Sequence, residues 1–450
     1  MDRGKGKIQS ALCSERVLSL LGRRLPGPSI AEREQTLRTS LSFRFTMKQN
    51  TVLVGFAEAS AAPEVAWSLA DQGFRVVAFA RKGRASAVRH SRYVECHEIC
   101  PPEVDVQASL SDLNSLLLSM DCRADSVPRI LFPLDDKAVW LTSKASLRNH
   151  WLLAGPRDAQ AELALNKGVQ TRLAEESGFN VPKTGMARSA SEVFEFIATQ
   201  PFPIILKAAE CVPVWEGHLY TCRKWICSNL GELERGVAEW GERVPLLLQS
   251  FVTGTGEGVF GLAAPDGVRA WSAHRRLRMM NPQGSGSSAC VSQTVPDDLK
   301  RKVETMIDRA GWRGLFMIEL LRDRSGGLWF VELNGRPWGS ISLSRRQALE
   351  YPAWHVQLAL DSASQAGVGA SSEAGVVCRN AGREFLHLLF VLRGPRSKAL
   401  SAWPSFWKTM RDVVRFRRGE TVYNWRREDP KVFLADFYST VKDNLFKSRN

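Results

Sequence analysis

The sequence predicts an α/β protein that begins with a parallel sheet, continues into a larger mixed body and ends in helices. Three observations predict this architecture. A strand–helix–strand pattern opens at residue 51, a second buried-looking strand covers residues 129–133, and strands then alternate with helices until about residue 360. Because 450 residues exceed what one hydrophobic core usually organises, we expect two or three subdomains.

The opening pattern consists of an apolar run at residues 51–56, a helical spacing at residues 64–70 and a second apolar run at residues 74–80. This order is typical of a βαβ unit, whose two strands are parallel. Residues 55–60 read Gly-Phe-Ala-Glu-Ala-Ser, without the G-x-G-x-x-G glycines that cradle a dinucleotide. The pattern therefore predicts a Rossmann-like domain over residues 47–154 and argues against nicotinamide binding.

The net charge of +14 is concentrated at the two ends of the chain. Residues 1–46 carry nine basic and four acidic side chains, and residues 379–450 carry sixteen basic and seven acidic side chains. The part of the chain between these two segments is therefore neutral. This distribution argues against a nucleic-acid-binding body. The C-terminal run is either a solvated helical face or a polyanion-binding surface of arginines interleaved with aromatic residues. It contains Arg411, Arg415, Arg417, Arg418, Arg426 and Arg427, with Phe416, Tyr423 and Trp425.

The remaining bulk features indicate a cytoplasmic protein. The nine cysteines are scattered and lack C-x-x-C spacing, which favours a reducing compartment over a zinc or disulfide framework. No apolar run approaches the roughly 20 residues that span a bilayer. We expect residues 1–46 to be either a disordered extension or a segment that precedes the true translation start. In the second case Met47 is the functional start.

The segment 314–335 carries the most chemistry. Two strand-like runs flank Ser325, Gly326 and Gly327, which is a hairpin signal. If Ser325 and Gly326 form a two-residue turn, Glu319 lies directly across from Glu332, and residue 334 shares their face.

Opposed carboxylates repel each other unless a cation lies between them. With Asn334, the pair offers the oxygen ligands that Mg²⁺ prefers when phosphate and water complete its shell. A slipped register that points one glutamate to solvent is the alternative, and spacing alone leaves it open.

At this point the sequence resembles the ATP-grasp superfamily, over roughly residues 51–360 and in that family's order. The hairpin and the following residues 332–340 are similar to its magnesium-binding strands, which implies Mg²⁺, or Mn²⁺, at Glu319, Glu332 and Asn334. Asn166-Lys167 and the Pro-Ile-Ile-Leu-Lys string at residues 203–207 are similar to its two phosphate-binding lysine positions.

The resemblance also implies roles for other residues. It places Lys167 and Lys207 on the phosphates of ATP, where a mobile ammonium can act as a point charge. It places Gln249, Ser250, Phe251 and Val252 on adenine, Glu257 on the ribose, and Arg336 on the γ-phosphate or a substrate carboxylate. The resemblance implies an ATP-grasp body over residues 155–365, followed by a basic helical C-terminal segment over residues 366–450.

Two further segments bear on the site. Residues 208–218, where many relatives have a glycine-rich lid, are poor in glycine, so that Lys224 or Arg223 would supply the charge over the phosphates. Residues 273–288 resemble the arginine-then-Gly/Ser segment of a carboxylate-amine ligase branch, in which Arg276 and Arg278 would act on the acid and Gly284 to Ser288 would form an anion nest. A flexible turn after an exposed basic strand is the alternative.

These features predict an ATP-dependent ligase that activates a carboxylate as an acyl phosphate and joins it to an amine. The substrates would be a small carboxylic acid and an amine, with an amino acid or peptide among the candidates. A carboxylate-thiol ligase, a small-molecule kinase of the same fold and a non-catalytic ATP- or polyanion-binding module remain alternatives. The sequence does not fix the oligomeric state, and a homodimer is compatible with it. Since no histidine pairs with Cys290, we expect that residue to be a small core residue.

Overall fold

The computed structural model describes residues 49–121, 127–148, 150–282, 286–395 and 403–446. The expectations for residues 1–46 lie outside these ranges. None of the described helices is both long enough and apolar enough to cross a bilayer.

The first domain is the parallel sheet that the opening pattern predicts. Its five strands lie in the order β3-β2-β1-β4-β5, and every neighbouring pair is parallel. The chain moves outward from β1 on one side and then crosses to β4 on the other, so the carboxyl ends of β1 and β4 meet at a topological switch point. The elements are β1 Thr51–Gly55, α1 Ala62–Asp71, β2 Arg75–Arg81, β3 Val94–Ile99, α2 Val106–Asp121, β4 Arg129–Pro133, α3 Asp136–Lys144 and β5 Trp151–Leu153.

A small antiparallel sheet with helices follows. Its strands lie in the order β10-β7-β11-β6 and pack on the fully buried side chain of Trp240. Asn166 and Asn229 cap two of the helices by accepting backbone N–H groups of the first turn. The elements are α4 Ala159–Leu165, α5 Lys167–Glu176, β6 Thr184–Ala187, α6 Ala190–Ile197, β7 Ile204–Ala208, β8 Val214–Trp215, β9 His218–Leu219, β10 Trp225–Cys227, α7 Leu230–Trp240 and β11 Leu246–Ser250.

A large sheet forms the centre of the body, in the order β16-β15-β12-β13-β14-β18-β19, with β17 paired to β13. The elements are β12 Thr255–Ala264, β13 Gly267–Met279, β14 Ser287–Gln293, α8 Asp297–Arg309, β15 Gly314–Arg322, β16 Leu328–Asn334, α9 Ile341–Arg345, α10 Tyr351–Leu360, β17 Ala370–Ser371, β18 Val377–Arg379 and β19 Thr421–Val422.

The β15–β16 hairpin has the predicted pairing but not the predicted turn. Glu319 lies opposite Glu332, as expected. The loop, however, spans five residues, closed by the Asp323 N–H donating to the Gly327 carbonyl at 3.0 Å. An odd loop alone would slip the register by one residue. A β-bulge at Val331 adds one residue to β16 and restores the pairing.

The C-terminal segment contains the predicted helices, α11 Ala381–Arg393, α12 Phe406–Val414 and α13 Pro430–Phe446. It also contributes three short strands to the large sheet, which a purely helical segment does not explain. Its loops contact the first domain, where Trp67 donates to Asp429 at 3.1 Å and the backbone N–H of Asn424 donates to Glu64. The predicted limit at residue 366 therefore cuts through a sheet rather than separating two packed units.

Candidate active site

A cavity of about 490 Å³ lies between the small sheet and the large sheet, and we call it the cleft. The small sheet contributes β7, β10 and β11, and the large sheet contributes β13, β15 and β16. The cleft brings together most of the residues singled out in the sequence. They are Lys167, Lys207, Gln249, Ser250, Phe251, Val252, Arg276, Glu319 and Glu332, joined by Lys224.

The carboxylates of the cleft are held in an electrostatically unfavourable arrangement. Burial raises the pKa of Glu319, and the charge of Glu332 across the hairpin raises it further, while Arg276 opposes both effects. A guanidinium nitrogen of Arg276 lies 2.7 Å from Glu319. The Asn334 amide donates to Glu332 at 3.1 Å, so all three predicted metal ligands share one face of the hairpin.

This donor set fits a magnesium ion that also binds a polyphosphate. Mg²⁺ commonly takes one or two carboxylates from the protein and completes its octahedron with phosphate oxygens and water. Two opposed glutamates and an amide meet that requirement. A cation between the carboxylates would also remove the repulsion that raises the pKa of Glu319.

Among the lysines of the cleft, Lys207 lies close to other ammonium groups and is poorly balanced by negative charge. Burial lowers the pKa of Lys207 to about 8, and the ammonium groups of Lys167 and Lys224 lower it as well, while Glu332 opposes them. Lys167 lies 3.0 Å from the sulfur of Cys211. Burial raises the pKa of that thiol to about 11, so it remains neutral at pH 7. An anion in the cleft would stabilise all three ammonium groups.

The end of β11 offers a backbone edge to a planar base. The Ser250 and Phe251 N–H groups donate to the carbonyls of Lys183 and Pro203. The N–H of Val252 makes no hydrogen bond to any residue that the structure describes. Apolar walls close over this edge from both sheets, formed by Ile205, Ile226, Leu321 and Phe330. Such a slot suits a flat, weakly polar ring that needs one donor.

Glu257 does not lie where the resemblance implied. Its neighbour Gly258 pairs with Glu319 and shares the cleft face, so Glu257 points to the opposite face of the sheet. There its carboxylate accepts from Arg322 at 2.7 and 2.9 Å. The assignment of Glu257 to a ribose is therefore corrected. The register of β12 with β15 fixes this face, and no local pattern in the sequence indicates it.

Arg276 and Arg278 have different environments although only one residue separates them in β13. The Arg276 side chain crosses Gly256, where a Cβ atom would lie 2.6 Å from its Cδ, and reaches Glu319 in the cleft. A β-bulge interrupts β13 between the two arginines. Arg278 donates to Glu384 of α11 at 2.9 and 2.5 Å and does not line the cleft. Its predicted action on the substrate is corrected to a structural ion pair.

The predicted anion nest is only partly described. Gly284 and Ser285 lie outside the described residues. Ser287 and Ser288 are buried in β14, where the Ser287 hydroxyl contacts Cys290 and the Ser288 hydroxyl donates to the Arg278 carbonyl at 3.3 Å. These two hydroxyls serve the strand rather than a ligand.

Arg336 has a partner that sequence reasoning missed. Its guanidinium donates to both carboxylate oxygens of Asp136, at 2.8 and 3.2 Å. Asp136 begins α3 at the switch point of the first domain. Beside it, Asp135 accepts from Arg81, which also pairs with Glu58 and Glu103. A pair of aspartates directly after a strand was visible in the sequence, but its partner 200 residues away was not.

The segment that corresponds to the glycine-rich lid is a short hairpin, β8–β9, docked on the first domain. The Leu219 N–H donates to the Pro102 carbonyl at 2.7 Å, and the Val106 N–H donates to the Gly217 carbonyl at 3.0 Å. Of the two predicted cations, Lys224 lines the cleft. Arg223 instead pairs with Glu239 on the surface.

Cys290 and His274 are core residues. Cys290 is fully buried, and burial raises its pKa. Burial lowers the pKa of His274 to about 3, and its Nδ1 lies 2.9 Å from the Ser340 hydroxyl. The burial of Cys290 agrees with the expectation that it is a small core residue.

Comparisons with known proteins identify the fold. No family model matches the chain, and no curated protein matches its sequence. An L-amino acid ligase from Bacillus licheniformis matches with a TM-score of 0.51 at 14% identity, over 70% of this chain and 74% of that one.

Two structures with bound nucleotide are also similar. The N5-carboxyaminoimidazole synthetase from Staphylococcus aureus, complexed with ADP, matches with a TM-score of 0.52 at 14% identity, over 73% of this chain and 80% of that one. The other is the biotin carboxylase domain of the Hydrogenobacter thermophilus 2-oxoglutarate carboxylase, in complex with MgADP, ADP and bicarbonate. It matches with a TM-score of 0.52 at 16% identity, over 69% of this chain and 70% of that one.

The architecture is a parallel-sheet domain followed by two sheets that enclose a cleft. The chain has the ATP-grasp fold, as the ordered motifs predicted. At these sequence identities the likeness establishes the fold and not the substrates.

Proposed function

We propose that the chain is an ATP-dependent ligase that converts a carboxylate to an acyl phosphate and transfers the acyl group to an amine. One observation carries the proposal. The cleft joins a set of ammonium groups, a backbone edge for a flat base and a pair of opposed carboxylates in one cavity. Lys207 is poorly balanced by negative charge, and the carboxylates of Glu319 and Glu332 repel each other. The Val252 N–H group makes no hydrogen bond to any residue that the structure describes. A nucleoside triphosphate with Mg²⁺ would supply the partner for each of them.

In this proposal the adenine ring lies between the apolar walls of the cleft, and its ring nitrogen accepts from the Val252 N–H. The triphosphate extends toward Lys167, Lys207 and Lys224, whose positive charges offset its negative charge. Glu319, Glu332 and Asn334 would hold Mg²⁺, which would neutralise negative charge on the triphosphate when bound.

Activation is needed because a carboxylate has no adequate leaving group. A carboxylate oxygen of the acid attacks the γ-phosphorus, the bond between that phosphorus and the bridging oxygen breaks, and ADP leaves. The amine lone pair then attacks the acyl carbon, the bond from that carbon to the phosphate oxygen breaks, and phosphate leaves as the amine loses a proton. The products are an amide, ADP and phosphate.

Arg276 and Arg336 are the residues that would act on the transferring phosphoryl group and on the acid. Arg276 already lies against Glu319, so its charge is directed into the metal-binding face of the cleft. Arg336 is oriented by Asp136, which holds its planar guanidinium at the boundary with the first domain. Fixed cations beside a developing negative charge lower a phosphoryl-transfer barrier without reorganisation during the reaction.

An acyl phosphate must be protected from water until the amine arrives. The β8–β9 hairpin lies in sequence between the cleft residues Cys211 and Thr221, and contacts to the first domain hold it in position, unlike a free glycine-rich flap. Lys137 of α3 also donates to Thr221 at 3.2 Å. We therefore propose that closure of the hairpin is coupled to the position of the first domain, at whose switch point the second substrate would enter.

An ADP-release screen with pools of carboxylic acids tests the proposal, with hydroxylamine as the trapping amine. We expect magnesium-dependent ADP release with one pool and a hydroxamate of the same acid. Tight ATP binding with no hydroxamate from any pool would contradict the ligase mechanism and favour a non-catalytic ATP-binding module.

Replacement of one metal ligand sharpens the test. Glu332→Gln keeps the shape of the side chain but removes its charge, so we expect magnesium-dependent ADP release to fall about 100- to 1,000-fold. Glu257→Gln, on the opposite face of the same sheet, is the matched control and should keep this activity. Circular dichroism and thermal unfolding would establish that both variants fold. Full activity of Glu332→Gln would remove the metal assignment.

A further inference from the structure

The helix α12 and the four residues after it form a surface that the proposed ligase activity does not use. Its exposed side chains are three apolar ones, Trp407, Val414 and Phe416, and three basic ones, Lys408, Arg411 and Arg415. We call this set the basic–aromatic face. Trp407 is 73% exposed, Val414 75% and Phe416 55%. Two more arginines, at positions 417 and 418, follow directly and are also exposed.

The spacing places these side chains on one side of the helix. Trp407, Arg411 and Val414 lie four and three residues apart, which aligns them along one stripe. Lys408 and Arg415 lie beside that stripe, one position further along. On the opposite side of the helix, Thr409 is buried against the body. The exposed side therefore combines a large aromatic ring and an aliphatic side chain with a row of cations.

The helix is fixed in this orientation by residues outside the face. Arg379 donates to the carbonyls of Val413 and Arg415 at the end of the helix. Its guanidinium also lies 5.1 Å from the ring of Phe416. The carboxylates around Arg379 belong to Glu384 and Glu420. The exposure of Trp407 and Val414 is thus a feature of a helix anchored to the large sheet.

The charges of this surface are not neutralised within the protein. Among the described residues, none of the five cations from Lys408 to Arg418 forms an ion pair with a carboxylate. Elsewhere in the C-terminal segment, Arg379 pairs with Glu384 at 3.0 Å and Arg426 pairs with Asp71 at 2.8 Å. The stretch 406–418 holds one acidic residue, Asp412, against those five cations. An anionic partner would neutralise this charge.

We infer that the basic–aromatic face binds the surface of an anionic lipid bilayer. A helix with cations beside exposed Trp, Val and Phe side chains lies in the interface plane, with the apolar groups below the headgroups and the cations at the phosphates. A second copy of the chain is a poorer partner, because a two-fold interface would place five cations against the same five. A nucleic acid would satisfy the arginines but offers no apolar volume for Val414.

Vesicle co-sedimentation of the full-length protein tests this inference. We expect binding to vesicles of phosphatidylcholine mixed with phosphatidylglycerol and no binding to pure phosphatidylcholine. Added salt should weaken the binding, because it screens charges at the exposed surface. Equal binding to both kinds of vesicle, or binding to neither, would contradict the inference.

Variants assign the binding to the face. Arg411→Gln with Arg415→Gln should lower the partition coefficient about 25-fold, because each surface cation contributes about fivefold. Trp407→Ala should lower it about tenfold through lost apolar burial. The matched control is Arg235→Gln with Arg301→Gln, which removes two exposed cations from α7 and α8 and should bind as the unmodified protein does.

Two other outcomes would overturn the inference in favour of another partner. Concentration-dependent dimerisation that is lost in Trp407→Ala, without vesicle binding, would make the face an interface between copies. Tight binding to duplex DNA, lost in the double arginine variant and again without vesicle binding, would make it a nucleic-acid surface. Unchanged thermal unfolding of every variant would exclude misfolding as the cause of lost binding.

Discussion

The two edges of the large sheet both bury charged side chains, but they arrange them in opposite ways. At the β16 edge, Glu319 faces a second carboxylate, and burial and that like charge raise its pKa. At the β18–β19 edge, burial also opposes ionisation of Glu384, but Arg278 and Arg379 outweigh it and lower its pKa. At the first edge one cation, Arg276, lies beside two carboxylates, whereas at the other edge cations and carboxylates alternate.

This difference distinguishes a candidate ligand site at the β16 edge from a structural ion-pair network at the β18–β19 edge. The alternating network joins Arg278, Glu384, Arg379 and Glu420, so each charge has a partner within the protein. The cleft instead collects ammonium groups on one side and carboxylates on the other, with a cavity between them. Native proteins keep such local conflicts where a ligand resolves them. This contrast supports the proposal that the cleft edge binds a ligand, whereas the other edge fixes the C-terminal segment to the body.

The largest expected effect breaks the alternating network. Glu384→Gln leaves Arg278 and Arg379 buried without their shared carboxylate, so we expect the free energy of unfolding to fall by about 3 kcal/mol at neutral pH. Because the pKa of Glu384 is lowered in the folded protein, this contribution is present above the ordinary glutamate pKa and is lost as the pH falls through the folded value. Denaturant titrations of both proteins at neutral and acidic pH measure it.

The control for this prediction is Glu332→Gln at the cleft edge. Its charge repels Glu319 and attracts Lys207, so the two contributions offset, and we expect the free energy of unfolding to change by less than about 1 kcal/mol. ATP affinity, measured by calorimetry, should be unchanged in Glu384→Gln. A loss of ATP affinity without a loss of stability in Glu384→Gln would show that the far edge serves the nucleotide.

The two arginines of β13 provide the next comparison. Arg276 pairs with Glu319 at the cleft edge, and Arg278 pairs with Glu384 at the other edge. Arg276→Gln should lower the rate of ADP release about 100-fold, because it removes a fixed cation beside the phosphoryl group. Arg278→Gln should lower stability and leave the rate of ADP release unchanged. Steady-state kinetics with an accepted acid, together with denaturant titration, separate the two effects. Equal kinetic losses in both variants would contradict the division between the edges.

The parts of the site that follow from local patterns could be predicted from the sequence. The parallel sheet follows from its βαβ pattern, and the glutamate pair follows from the alternation of two strands around a glycine-rich turn. The hairpin confirms the predicted pairing of Glu319 with Glu332, although the predicted turn is wrong. Its loop is longer than the predicted two-residue turn, and the bulge at Val331 compensates by one residue.

The parts that depend on distant partners could not be predicted. Arg278 pairs with Glu384, 106 residues away, and a local basic pattern cannot reveal that partner. Arg336 and Asp136 meet only because the first domain packs against the body. The strands β17 and β19 have two residues each, too few for any periodicity to show. The side of the strand on which Glu257 lies required the register with β15, which spacing from a motif does not supply.

The smallest expected effect concerns the pH dependence of ATP binding at the cleft edge. Burial and two neighbouring ammonium groups lower the pKa of Lys207 to about 8, so the free protein loses this charge as the pH rises above that value. Triphosphate restores the proton, and ATP affinity should therefore be full below pH 8 and fall up to about tenfold per pH unit above it. Lys207→Arg keeps its charge throughout this range and should bind ATP with a flat profile. Calorimetry at several pH values measures both, and an unchanged slope in Lys207→Arg would assign the proton to another group and remove Lys207 from the phosphate site.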